Sequence, residues 1–70
     1  MSIYKQIKLS DGLLNNAILR NDGACIPFDP ANMDFVAFKQ AINDDTAQLE
    51  DADGNLMTAE EAKQFVSTLP

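Results

Sequence analysis

A chain of 70 residues with 11 acidic residues, five basic ones, one cysteine and no histidine has room for one domain (1–70) and one modest core. A chain this short buries only about 60% of the surface that its unfolded form exposes. Without histidine, neither a histidine–cysteine zinc site nor a histidine-based nucleophilic triad can be built, and the lone Cys25 excludes an intrachain disulfide and fits a reducing compartment.

The ledger of a small core tends to come out near zero, so added stability is expected from association, as a homo-oligomer or with a permanent partner. Charge is unevenly placed. Residues 1–28 carry Lys5, Lys8 and Arg20 against Asp11 and Asp22, a net of +1, whereas residues 29–70 carry Lys39 and Lys63 against nine acids, a net of −7. Five scattered cations make no basic stripe, so direct binding to nucleic acid is not expected. The longest apolar runs fall far short of about 20 residues, and Met1-Ser2 leads into a mixed segment. Neither a membrane span nor a secretion signal is therefore expected.

The first element is a strand from Ile3 to Leu9, with apolar residues at 3, 7 and 9 broken by Lys5, and with Tyr4, Gln6 and Lys8 on the opposite face. Ser10-Asp11-Gly12 is turn chemistry. An apolar-rich segment runs from Leu13 to Arg20, its better strand part being Ala17 to Arg20. Asn21-Asp22-Gly23 then predicts a tight hairpin, because the primed turns need positive φ that Asp and Gly tolerate. A third strand follows through Ala24-Cys25-Ile26-Pro27-Phe28, and Pro27, which has no amide donor, places it at an edge or ends it there. These three strands predict a small antiparallel meander over residues 1–28.

The α half spans residues 29–70. Asp29 with Pro30 offers one helix start and Asn32 or Asp34 a later one, and the later start is preferred. From Asp34 to about Asp44, Phe35, Phe38, Ala41 and Ile42 form one stripe with Val36 to its side. Residues 43–57 read as an acidic loop, with a short hairpin around Asp53-Gly54-Asn55 and with Leu49 and Leu56 packing back on the core. Thr58-Ala59-Glu60-Glu61 has capping-box spacing, and Ala62, Phe65, Val66 and Leu69 give the last helix its buried face. The expected fold is α+β, a three-stranded meander followed by two short helices.

Candidate chemistry is sparse. Setting Gly54 at the sixth position of a calcium loop puts Glu60 at the twelfth but Leu49 at the first, where an oxygen donor is required; starting at Asp51 puts Leu56 where the glycine belongs and Ala62 where the glutamate belongs. Both registers fail, so a solvated turn ahead of a capped helix is the reading. The neighbouring pairs Asp44/Asp45 and Glu60/Glu61 point in different directions, as expected of solvated faces rather than paired catalytic acids. Cys25 has no cation beside it in sequence to lower its pKa and reads as an inert thiol. Among Tyr4, Phe28, Phe35, Phe38 and Phe65, core packing accounts for at least four. No catalytic, cofactor-binding or metal-ligating residue is assigned.

The segment Ile26-Pro27-Phe28-Asp29-Pro30-Ala31-Asn32-Met33-Asp34-Phe35, followed by Phe38, resembles a motif of small tailed-phage and prophage proteins. There an Ile-Pro-x-Asp-x-x-Asn precedes an aromatic pair at helical spacing, after a short Asp-Gly hairpin such as Asn21-Asp22-Gly23. The match covers residues 17–42 and departs from the familiar form, which often has Arg in place of Met33 and a later Trp. The resemblance implies a protein associated with tail or tail-fibre genes, in the bacterial host cytoplasm or the virion, working without catalysis as a minor particle component or assembly factor. Its contact surface would be Ile26, Pro27, Phe28, Asp29, Pro30, Asn32 and Met33. Physically, the two prolines also stiffen the crossing from strand to helix. Two other readings stay open: an acidic regulator or DNA-mimicking inhibitor that uses the carboxylates of residues 44–61, and a calcium-responsive module.

Overall fold

A computed structural model describes residues 2–70, and it is a small α+β fold. The elements in chain order are β1 (Ser2–Lys8), β2 (Leu14–Arg20), β3 (Cys25–Pro27), α1 (Met33–Asn43), β4 (Ala47–Glu50) and α2 (Ala59–Ser67). The expected meander is present, with β1 antiparallel to β2 and β2 antiparallel to β3. The expectation of three strands needs correction, because β4 joins the other side of β1 in parallel and gives a mixed four-stranded sheet of order β3-β2-β1-β4.

That fourth strand lies inside the stretch read as an acidic loop. It forms because Leu49, opposite Tyr4 in the register, is almost completely buried, while Gln48 alternates outward. The turn beyond it matches the expected short hairpin, with Glu50 bridged antiparallel to Leu56 and Gly54 at φ 89°. Leu56 does not pack back on the core as expected; at 58% exposure it lies at the surface.

One core joins the layers. Tyr4, Ile18, Ile26 and Leu49 from the sheet meet Phe35, Phe38 and Ile42 of α1 and Ala62 and Val66 of α2. Two ring pairs meet edge-on, as aromatic quadrupoles favour, Tyr4 with Phe38 at 4.7 Å and Phe28 with Phe65 at 6.1 Å between centroids, and Phe28 also lies tilted 5.4 Å from Phe35. On β1 it is therefore Tyr4 that faces the helices, and Ile3 and Ile7, outside this cluster, take the other face by strand alternation.

Helix starts follow local chemistry. Asn32, in an extended conformation, caps α1 by accepting the Phe35 amide at 3.1 Å, so the later of the two readable starts is used and Met33 is the first helical residue. Thr58 and Glu61 form the full capping box, with the Thr58 Oγ1 accepting the Glu61 amide at 3.1 Å and the Glu61 carboxylate accepting the Thr58 amide at 3.0 Å. Such a cap contributes about 1 kcal/mol. After α1 the chain leaves through Asp45 at φ 60°, a left-handed conformation that Asp tolerates better than bulkier residues.

Candidate protein-contact surface

The corner between β3 and α1 is built by backbone geometry. Phe28 N–H donates to Asn16 O (2.9 Å) and Arg20 N–H to Ala24 O (2.8 Å), which leaves the backbone groups of Cys25 and Pro27 facing away from β2. Pro27 thus stands where no donor is needed, at the outer edge of the sheet, as its missing amide requires. Its carbonyl is occupied by the Asp29 amide at 2.9 Å. Asp29 in turn accepts the Ala31 amide on its side chain (3.0 Å) and the Asn32 amide on its carbonyl (2.8 Å), so the turn is fixed before α1 begins.

The seven candidate contact residues separate into two groups. Ile26 is core, Phe28 is half-buried beneath the corner against Phe35 and Phe65, and Asn32 is partly buried and engaged as the cap. Pro27, Asp29, Pro30 and Met33 are exposed. Met33 is the most open large apolar side chain among the described residues, at 85%, and Val36, three residues on and therefore on the same helix face, is 46% exposed. In the sequence Val36 falls beside the core stripe, and an apolar residue outside the i, i+3, i+4 set is the signal of its exposure.

Arg20 ties this corner to the β2–β3 hairpin. Its guanidinium pairs with Asp22 at 2.9 Å and reaches Asp34 in the first turn of α1 at 3.7 Å. The Asp22 carboxyl is held below its ordinary pKa, first by the Arg20 hydrogen bond and then by the Ala24 amide.

Four of the seven acids of residues 44–61, Asp45, Asp51, Asp53 and Glu61, have partners nearby. Asp45 pairs with Lys63 at 3.0 Å and Asp53 lies 4.0 Å from Lys8. The Asp51 carboxylate accepts the amides of Asp53 and Asn55, both at 2.9 Å, and is likewise lowered, with the Asn55 amide as the largest cause. Among the described residues, no three His, Cys, Asp or Glu side chains gather where they could hold a metal ion. Two shallow depressions flank the core. One, of about 290 Å³, is lined mainly by Ile42, Leu49, Leu56 and Met57, and the other, of about 460 Å³, by Leu14, Phe28, Phe65 and Leu69 together with polar groups. Neither gathers a set of acids. No helix among the described residues is long and apolar enough to cross a membrane.

The two lowered carboxyls set the expected acid response. A carboxyl with a folded pKa below its unfolded value stabilises the fold fully above the unfolded value and loses that contribution as pH falls through the folded one. Urea midpoints are therefore expected to be flat near neutrality and to decline below about pH 4. Asp51→Asn, which keeps an oxygen acceptor without the charge, lowers the midpoint at pH 7 and narrows the gap to wild type at about pH 3. Equal gaps at the two pH values would show that the Asp51 charge contributes nothing.

Comparison with protein-family profiles, curated proteins and solved structures finds no match to this chain.

Proposed function

We propose that the chain is a non-enzymatic phage or prophage accessory protein that acts by protein contact, as a minor particle component or a tail-assembly factor. The observation that carries the contact surface is the exposure of Met33 and Val36 on one face of α1, directly after a proline-stiffened corner. An apolar ridge on a rigid mount loses little conformational entropy on docking, which suits it to recognition. The phage association is carried by the resemblance of Ile26 to Phe38 to the tail-associated motif. The rival reading, an acidic regulator, draws on carboxylates of which Asp45, Asp51, Asp53 and Glu61 already have partners within the chain, and this weighs against it.

The test is co-purification of the tagged chain with tail or particle proteins from phage-producing cells, using wild type, Met33→Asp and Val36→Asp. Each variant is expected to reduce recovery of the partner about tenfold or more, while its own stability stays within about 0.5 kcal/mol of wild type, as at exposed sites generally. A chain absent from particles and from every assembly intermediate would overturn the phage reading. Partner recovery unchanged in both variants would move the contact surface elsewhere.

A further inference from the structure

We infer that the outer face of the sheet, turned away from both helices, is the contact face of a homodimer in which two copies stack sheet against sheet. The observation is an inverted strand. In β1 the helix-facing positions are Tyr4, Gln6 and Lys8, while the outward positions are Ile3, Lys5 and Ile7. Leu19 of β2, paired with Lys5, shares that outward face and is partly exposed. Ala17 of β2 is buried yet does not belong to the core cluster, as a small side chain does when flanked by bulkier neighbours on the same face. An antiparallel sheet with one free face normally turns polar residues to water. Here the free face carries the isoleucines.

Charge selects a second copy as the occupant. The outward face holds one cation and one anion, Lys5 and Glu50, opposite each other in register. The other ten acids lie in turns, caps and helices. Stacking two outer faces therefore sets neutral against neutral and carries the acidic surfaces of two −6 chains to opposite ends of the pair. A basic partner would be drawn to the helical side instead.

The edges favour stacking over edge pairing. Pro27 has no donor and its carbonyl is taken by Asp29, and on the other side the Met57 amide donates to Leu49 O at 2.8 Å. Four strands at about 4.8 Å spacing and at most seven residues at about 3.4 Å each give a face of roughly 450 Å² in plan. A standard interface uses about 800 Å² per partner, so the pair falls in the small, weak and reversible class.

Sedimentation equilibrium over a concentration series tests this. Wild type is expected to move from the 7.7 kDa of one chain toward twice that mass, more readily at high salt, because salt screens the repulsion between two acidic chains. Ile7→Glu and Leu19→Lys should each weaken the dimer at least tenfold, since each leaves an unpaired charge in the stacked face, with unchanged far-ultraviolet circular dichroism. Met33→Asp should leave it intact, which separates this face from the corner. Independently of any variant, the Cys25 thiol, exposed on the outward side of β3, should react several-fold more slowly with a thiol reagent at dimer-forming concentration. A constant monomer mass up to about 1 mM, a dimer undiminished in both folded charge variants, or a dimer loosened by salt overturns the inference.

Discussion

Phe38→Ala is expected to destabilise the chain by about 3–5 kcal/mol. Phe38 is completely buried, its ring lies 4.7 Å from Tyr4 and 6.4 Å from Phe35, and it joins the sheet to α1 at the centre of the only core cluster among the described residues. Truncating a buried phenylalanine costs about 3–5 kcal/mol, the loss of its ring contacts included. A 70-residue domain is stable by roughly 3.5–10 kcal/mol, so the deletion removes much or all of it. Phe38→Leu, which retains most of the volume, should cost far less and keep the fold. Amide dispersion in a proton–nitrogen spectrum distinguishes the outcomes. Cooperative urea unfolding of Phe38→Ala within about 1 kcal/mol of wild type would mean that the two layers do not depend on this contact.

The second large effect separates two leucines that the sequence treats alike. Leu49→Ala is expected to cost about 2–5 kcal/mol, because Leu49 is 1% exposed and its loss leaves a cavity in the core beside its register partner Tyr4. Leu56→Ala, at a site 58% exposed, should stay within about 0.5 kcal/mol of wild type. Urea denaturation of both variants measures the contrast, and equal losses would remove β4 from the core. Hydrogen exchange adds a check, since Leu49→Ala should release the amides of Ala47–Glu50 first.

The helices were legible in the sequence because their signals are local. The Phe35, Phe38, Ile42 stripe and the Ala62, Val66 pair recur at helical spacing, and Asn32 and Thr58 cap where they were expected to. The Asn21-Asp22-Gly23 hairpin and the edge position of Pro27 followed from backbone chemistry for the same reason. β4 was not legible. It offers the core only Ala47 and Leu49, within a polar stretch, and its partner lies more than 40 positions earlier in the chain. Two inward residues at period two do not separate a strand from a loop, and parallel pairing leaves no turn to mark it.

The face chosen by β1 was ambiguous for a different reason. Alternation divides its side chains between two sides but does not say which side the helices cover. Three apolar residues at 3, 7 and 9 outnumber Tyr4, yet one aromatic ring seated on Phe38 decides the matter. The candidate corner was legible as a stiff turn, whereas the burial of Ile26 and the openness of Val36 depend on how the layers meet.

The position of β1 has a consequence for partly folded chains. β1 is interior to the finished sheet, with β2 close behind it in sequence on one flank and β4, more than 40 positions later, on the other. Where β2 has paired and β4 has not yet docked, the opposite flank of β1 has no native partner and its backbone amides and carbonyls are left to water. Chains caught in that state would carry a raw, isoleucine-bearing strand margin, the kind of template on which cross-chain aggregates start.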